Sequence, residues 1–237
     1  MGKTWMAVPL TLLAAACSAG AQDAGPRGAR NFPVGAFHAV SLAGPHDVIV
    51  TVGGAPSVRA EGSEEVLERL DIRVEDGTLE VGSRRTGASG FRFHRGSATV
   101  HVTVPSLTAA SIGGSGDLRI DRVEGERFNA AIGGSGDIEV GRLRVAEAQF
   151  AISGSGNIRA SGSAARQRIS VAGSGDVDLA GVEARSAAIS IVGSGSVRTR
   201  ASETAEVSIM GSGDVEVSGG ARCSVNRMGS GEVRCGR

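Results

Sequence analysis

The segment "GGSGD" occupies Gly113 to Asp117 and returns at Gly133 to Asp137. Its Gly-Ser-Gly core occurs seven times, with the first glycine at positions 114, 134, 154, 173, 193, 211 and 229. The steps between them are therefore 20, 20, 19, 20, 18 and 18 residues. A propeller blade needs roughly 40 residues, and the Leu-x-x-Leu-x-Leu frame of leucine-rich repeats is absent. The repeat predicts a β-solenoid in which each copy forms one coil.

Aliphatic residues flank each turn at even offsets, which places them on one face of a strand. The two columns are Ile112, Ile132, Ile152, Val171, Ile191 and Ile209 before the turn, and Leu118, Ile138, Ile158, Val177, Val197, Val215 and Val233 after it. In the last repeat Arg227 replaces the aliphatic residue, as a polar terminal coil requires. These columns predict an all-β fold, a parallel β-helix or β-solenoid that we expect to be right-handed, with stacked aliphatic ladders inside.

The turn residues have a structural interpretation and two chemical ones. Glycine suits a corner where φ is positive or coils pack closely, and Asp, Asn and Ser all bond nearby backbone N–H groups. We expect the following residues to form a structural turn ladder: Gly114, Ser115, Gly116, Asp117, Gly134, Ser135, Gly136, Asp137, Gly154, Ser155, Gly156, Asn157, Gly173, Ser174, Gly175, Asp176, Gly193, Ser194, Gly195, Gly211, Ser212, Gly213 and Asp214. A stacked acidic column could instead collect Ca²⁺ or cleave glycosides.

Catalytic motifs fit the turn poorly. A nucleophile elbow needs Gly two residues after Ser, where Ser115 has Asp117. A phosphate loop needs a Gly-Lys-Ser/Thr ending, and a calcium β-roll repeats every nine residues. Asn157 and Ser196 interrupt the acidic column. We predict no catalytic, cofactor-binding or metal-binding residues and no enzyme, while a polysaccharide-acting β-helix enzyme and a calcium-dependent binding module remain the alternatives.

The N-terminal segment has the pattern of an export signal. A 12-residue apolar run follows Lys3, too short to span a bilayer at about 20 residues. "LLAAAC", which ends at Cys17, resembles a lipoprotein processing site and predicts lipidation of Cys17 and outer-membrane attachment, whereas "AGA" at 19–21 resembles an ordinary signal-peptidase site. We expect a signal peptide at 1–21 (1–16 in a lipoprotein), a flexible tether at 22–31, and one domain at 32–237.

Within that domain, residues 32–106 read as an irregular N-terminal part and 107–237 as the regular repeats. Alternating patterns predict strands at 46–52, 71–81 and 98–104, and Asp76-Gly77 predicts a hairpin turn. "SEEVLERL" at 63–70 predicts one short helix capped by Ser63. "SLAGPHDVIV" at 41–50 is an imperfect copy of "SIGGSGDLRI" at 111–120, so the N-terminal part should continue the solenoid. The Arg-rich stretch 83–97 predicts a loop.

Composition limits the classes of partner. The 237 residues have zero formal net charge, so no bulk attraction to nucleic acid is implied. There is no Tyr, one Trp and six Phe, so stacking platforms for bases or sugars are scarce. Cys223 and Cys235 remain as an even pair after Cys17 is removed or lipidated, and export favours a disulfide between them over two buried thiols.

The sequence resembles the head GIN domain family of exported bacterial proteins, described as "putative auto-transporter adhesin". The resemblance rests on "FHAVSLAGPHDVIVT" at 37–51, "VEDGTLEV" at 74–81, "VTVPSL" at 102–107 and the serial Gly-Ser-Gly-Asp turns. It implies a parallel β-helix-like domain and an adhesin-like role, and it defines no catalytic residues. We expect a non-enzymatic binding or scaffolding module of the periplasm, outer membrane or cell surface, with an envelope protein or glycan as partner.

Overall fold

The computed structural model describes residues 27–84 and 96–236. Backbone hydrogen bonds join its nineteen strands into one continuous sheet. The elements are β1 (Arg27–Phe32), β2 (Ala39–Leu42), β3 (Asp47–Val52), β4 (Ser57–Ser63), α1 (Glu64–Arg69), β5 (Leu70–Glu75), β6 (Thr78–Ser83), β7 (Thr99–Val104), β8 (Ala109–Ile112), β9 (Leu118–Ile120), β10 (Val123–Ile132), β11 (Ile138–Gly154), β12 (Ile158–Gly173), β13 (Val177–Glu183), β14 (Ser186–Gly193), β15 (Val197–Arg200), β16 (Thr204–Gly211), β17 (Val215–Ser218), β18 (Arg222–Gly229) and β19 (Val233–Cys235).

The sheet winds into the predicted β-solenoid, with about six turns at a spacing of about 20 residues. Each Gly-Ser-Gly corner separates two walls of parallel strands. The upstream wall stacks β6, β2, β8, β10, β11, β12, β14, β16 and β18 in that order. The downstream wall stacks β7, β3, β9, β11, β12, β13, β15, β17 and β19. β11 and β12 are 17 and 16 residues long and serve both walls.

The interior is aliphatic, as the sequence predicts. Both flanking columns are buried throughout, apart from Val233, which is partly buried in the last coil. Along the strands, buried and exposed residues alternate, because successive side chains of a strand point to opposite faces. One continuous hydrophobic cluster therefore runs the length of the solenoid.

Close stacking requires glycine at both positions of a corner, and a positive φ adds a second reason at the first position. The first glycine of the later turns has a left-handed φ, between 131° and 148° at Gly154, Gly173, Gly193, Gly211 and Gly229. The second glycine is outside that region but lies against the preceding coil: a Cβ at Gly175 would overlap the carbonyl oxygen of Gly156 and lie 2.8 Å from Cγ2 of Ile152. Close stacking, not positive φ, therefore excludes a side chain at the second glycine.

The N-terminal part continues the solenoid, but its coils are stacked out of chain order. The β2–β3 coil lies between the later β6–β7 coil and the β8–β9 coil. Two antiparallel pairs then close this end, because β5 covers β6 and β4 covers β7.

The predicted helix packs at this end through buried Leu67, and the Ser63 hydroxyl accepts the Val66 N–H at 3.4 Å. Asp76, with φ of 49°, forms the predicted hairpin turn between β5 and β6.

One boundary is wrong. We expected a flexible tether at 22–31, yet residues 27–32 form β1, which pairs antiparallel with β4. The strand lacks a hydrophobic pattern of its own, and it forms because β4 offers backbone partners along an otherwise uncovered edge.

Some predictions lie outside the described residues: those for Cys17, the signal peptide, the rest of the tether and most of the Arg-rich loop (85–95). In the described part of the chain, no helix has the length and hydropathy needed to cross a membrane.

A disulfide and an arginine lie at the C-terminal end. Cys223 and Cys235 are joined in the structure, with their Cα atoms 6.5 Å apart. Cys223 lies opposite Ala205 and Cys235 opposite Val217, so both cysteines occupy inward positions, as expected. Cys235 is nevertheless exposed, because no described coil covers it. Arg227 donates to the carbonyl oxygen of Gly231 at 2.6 Å, which turns its side chain across the end of the coil.

We expect Gly175→Ala to lower the free energy of unfolding by about 2 kcal/mol or more, because the added methyl group overlaps the preceding coil. Gly35→Ala is the matched control, since a Cβ there meets nothing within 4 Å. Urea unfolding of both variants measures the difference. Equal stabilities would show that the corners tolerate side chains and that close stacking is not what selects glycine.

Candidate functional site

The acidic column at the corners is engaged with the backbone. In the turn ladder, a side-chain oxygen accepts the backbone N–H of the equivalent residue one coil further along. Asp137 is typical: its Oδ1 accepts the Asn157 N–H at 2.9 Å and also the Asn157 side-chain amide at 2.9 Å. The other acceptors, at 2.8 to 3.2 Å, are Asp47, Asp117, Asn157, Asp176 and Asp214. Asn serves as well as Asp because the bond needs only an oxygen.

This geometry supports the corner interpretation over a cation site. One oxygen of each acidic side chain already accepts a hydrogen bond, so the column does not present whole carboxylates to solvent. Across residues 27–84 and 96–236, no group of three or more His, Cys, Asp or Glu is arranged to hold a metal ion. The serines of the same turns are exposed on the outside of the solenoid.

His46 forms a buried bridge that the sequence did not indicate. It occupies the corner of the β2–β3 coil, where later coils have glycine, and is 2% exposed. Its Nδ1 accepts the Ala98 N–H at 3.2 Å, and its Nε2 lies 2.8 Å from the Ser83 hydroxyl oxygen. Since Nδ1 is an acceptor, Nε2 carries the proton and donates it to Ser83. The imidazole therefore ties the end of β6 to the segment before β7.

The same geometry argues against Ser83 as a nucleophile. A catalytic serine donates its proton to an unprotonated imidazole nitrogen, whereas here the hydroxyl accepts a hydrogen bond from the imidazole. Burial lowers the pKa of His46 from its ordinary value of 6.5 and outweighs the opposite effect of adjacent Asp47. A neutral imidazole is the form that this pair of hydrogen bonds requires.

An arginine cluster lies on the outer surface of the upstream wall. Glu147 is within ion-pair distance of three guanidinium groups: Arg127 at 3.7 Å, Arg166 at 3.7 Å and Arg168 at 3.3 Å. One carboxylate cannot neutralise three cations, so the cluster has an excess of positive charge. The chain as a whole is neutral, and stacking produces this local excess by placing residues about 20 apart side by side.

A shallow depression adjoins this cluster and continues along the solenoid. Its floor consists of small residues, among them Ser186, Ala188 and Thr204, and Glu206 and Arg222 border its far side. We call it the axial groove; it is lined by Glu147, Arg166, Gln167, Arg168, Ser186, Ala187, Ala188, Thr204, Ala205, Glu206, Arg222 and Ser224. It crosses the coils from β11 to β18, about 20 Å at the spacing of neighbouring strands.

The outer surface of the downstream wall has a column of alternating charge. The register places Arg119, Glu139, Arg159, Asp178, Arg198, Glu216 and Arg234 one above another. Neighbours approach to 3.7 Å for Arg119 and Glu139 and to 3.9 Å for Arg198 and Asp178. All these side chains are exposed, so each pair adds at most about 1 kcal/mol. Every member stands five residues after the first glycine of its turn, a regularity in the sequence that could have predicted the column.

We expect Asp176→Ala to lower the free energy of unfolding by about 1 kcal/mol, because the Ser196 N–H loses its acceptor at 2.8 Å. Asp176→Asn is the control and should stay within about 0.5 kcal/mol of the parent chain, since Asn157 already fills this role. Chemical denaturation compares the two. Equal destabilisation by Asn and Ala would mean that the negative charge itself is required.

The bridge at His46 predicts that stability depends on pH. A lowered folded pKa means that the neutral imidazole stabilises the fold fully above pH 6.5 and that this contribution is lost as the pH falls toward the folded value. His46→Gln can form both hydrogen bonds without titrating, so its unfolding midpoint should change less between pH 8 and pH 5 than that of the parent chain. His101→Gln, at an exposed histidine, is the control and should keep the parental difference. An unchanged pH difference in His46→Gln would contradict the assignment.

One family model matches this chain, and several solved structures share its fold. The family model described as "putative auto-transporter adhesin, head GIN domain" matches residues 36–221. A search of curated proteins found no match. Among solved structures, a protein of Bacteroides fragilis described as a putative adhesin has a TM-score of 0.78 at 18% identity, covering 89% of this chain and 97% of its own.

Two further solved structures have the same fold. One, from Parabacteroides distasonis and described as a putative lipid binding protein, has a TM-score of 0.72 at 22% identity and covers 89% of this chain and 97% of its own. The other, from Parabacteroides merdae and described as a putative adhesin, has a TM-score of 0.70 at 19% identity and covers 89% and 96%. Fold, corner geometry and the family match lead to one conclusion: the chain belongs to the head GIN domain family.

Proposed function

We propose that this protein is an exported, non-enzymatic binding module of the bacterial cell envelope, and that the axial groove binds an extended anionic ligand, either a glycan or an acidic protein segment. The observation that carries the proposal is the excess of arginine around Glu147 beside a floor of small side chains. An adhesin-like role agrees with the family description and with the structural neighbours described as adhesins.

The shape of the groove suits a polymer. It is shallow and follows the solenoid axis, so a chain-like ligand can contact several coils in succession. Ser186, Ala188 and Thr204 leave room for a ligand backbone, while Arg166 and Arg168 stand at one border and Arg222 at the other. Guanidinium groups bind carboxylate, sulfate and phosphate oxygens through paired hydrogen bonds. Anionic groups of a polymer can therefore bind at Arg166 and Arg168, and Arg222 adds a third guanidinium group beside Glu206 at the other border.

Two kinds of candidate reactive group are engaged in structural hydrogen bonds, which supports a role in binding. The Ser83 hydroxyl accepts a hydrogen bond from His46, and the corner carboxylates accept backbone N–H groups. The exposed charges are distributed along strand faces, which favours recognition by an extended surface. Export, and attachment to the outer membrane through a lipid on Cys17, belong to the same proposal and rest on the N-terminal sequence pattern.

Capture from envelope extracts tests the proposal. The immobilised protein should retain an anionic envelope component, less of it as salt rises, because exposed charges are screened within about 10 Å at 0.1 M salt. Arg168→Glu should lower the retained amount roughly tenfold, which is the loss of about 1.4 kcal/mol of binding free energy. Arg144→Glu, at an exposed arginine outside the groove, is the matched control and should bind as the parent chain does. Equal capture by all three proteins would refute the groove as the binding surface.

A further inference from the structure

The last upstream strand has an unpaired edge. β18 pairs with β16 on one side, and no described strand pairs with its other side. Within β18, the Arg222 N–H donates to Glu203 at 3.0 Å, and just beyond it the Ser230 N–H donates to Gly211 at 3.0 Å, both in the preceding coil. Because successive residues of a strand point their backbone groups to opposite sides, the N–H and C=O groups of Cys223, Val225 and Arg227 point to the unpaired side.

The opposite end of the solenoid shows how such an edge is covered in this fold. There, β5 pairs antiparallel with β6, and β4 pairs antiparallel with β7. The parallel walls therefore accept an antiparallel strand as their last member. At the C-terminal end, the described part of the chain supplies no such strand.

An apolar side chain marks the middle of the unpaired edge. Val225 continues the inward column of Ile189 and Val207, which are 3% and 1% exposed, but is itself 46% exposed. A partner strand here would remove Val225 from water and satisfy the backbone groups beside it. Arg227 and the disulfide lie on the same end and cover part of the interior, but they leave Val225 accessible.

We propose that a second copy of this chain binds at this end, with the two β18 strands pairing antiparallel about Val225. This register places Val225 opposite Val225 of the second copy, and both residues have their hydrogen-bonding groups on the unpaired side. Cys223 and Arg227 then exchange hydrogen bonds across the interface. Arg222 stands opposite Met228 of the second copy, so no arginine of one strand faces an arginine of the other.

The contact is symmetric and closes on itself, which limits the assembly to a dimer. A single strand pair is a small interface, so the dimer should be weak and concentration-dependent. Its two β1 strands lie at the far ends, because β1 belongs to the opposite end of each solenoid. If the N-terminus is attached to a membrane, as the proposed function holds, this dimer would join two opposing surfaces.

Sedimentation equilibrium over a wide concentration range tests the contact. We expect a reversible monomer–dimer equilibrium for the parent chain and a dissociation constant at least about tenfold higher for Val225→Arg, which places two like charges opposite each other. Val192→Arg is the matched control: Val192 is also apolar and 53% exposed, but it lies on the outer side of β14. It should dimerise as the parent chain does. Thermal unfolding verifies that both variants are folded.

Hydrogen exchange of the unmodified protein gives a second measurement. The amides of Cys223, Val225 and Arg227 should become more protected as concentration rises, whereas those of Arg222 and Ser224 should not change.

Three outcomes of the sedimentation experiment would overturn the proposal. Two of them are a monomer at every concentration and a dimer of parental strength in Val225→Arg. Loss of the dimer in Val192→Arg would also overturn it, because the interface would then lie on the side. Val225→Arg should still capture the anionic ligand, since the axial groove does not include Val225. Failure of the dimer and failure of ligand capture can therefore be told apart.

Discussion

The contact between glycines at the corner is the constraint on which the rest of the structure depends. At each turn, the second glycine lies against the carbonyl group of its equivalent one coil earlier, too close for any side chain. This contact holds successive corners in register, and the register holds the aliphatic columns above one another. The hydrophobic core then forms by stacking alone. Corner side chains add hydrogen bonds to the next backbone N–H, so the contact is reinforced by a second, directional interaction.

A stack of parallel strands leaves unpaired backbone groups at both ends, and the two ends solve this differently. At the N-terminal end, β4, α1 and β5 lie in the chain between the β2–β3 coil and the β6–β7 coil. The β6–β7 coil stacks beyond the β2–β3 coil, and β5 and β4 cover its two walls as antiparallel strands. At the C-terminal end, Arg227 and a disulfide cover part of the interior, while the edge of β18 has no partner among the described strands. The edge of β18, with half-exposed Val225 in its middle, therefore lacks the antiparallel cover that β6 and β7 receive.

Register also decides the electrostatics of the surface. The chain has no net charge, yet residues about 20 apart become neighbours, so equal numbers of charges give an alternating column on one wall and an arginine excess on the other. Exposed ion pairs of this kind contribute little to stability. Their positions decide where charge accumulates on the outer walls, since unlike neighbours cancel and the arginines around Glu147 do not. The arginine excess therefore follows from stacking, although no local motif encodes it.

The sequence by itself determined the solenoid, its repeat length, the inward columns, the helix, the hairpin and the structural role of the corner residues, because all of these depend on local periodicity. It could also have given the column of alternating charge, whose members keep a constant offset from the turns. Only the tertiary structure decided the stacking order of the N-terminal coils, the pairing of β1 and the bridge made by His46. These depend on contacts between segments with no shared repeat, such as His46 with Ala98, and on edges that exist only after the walls have assembled.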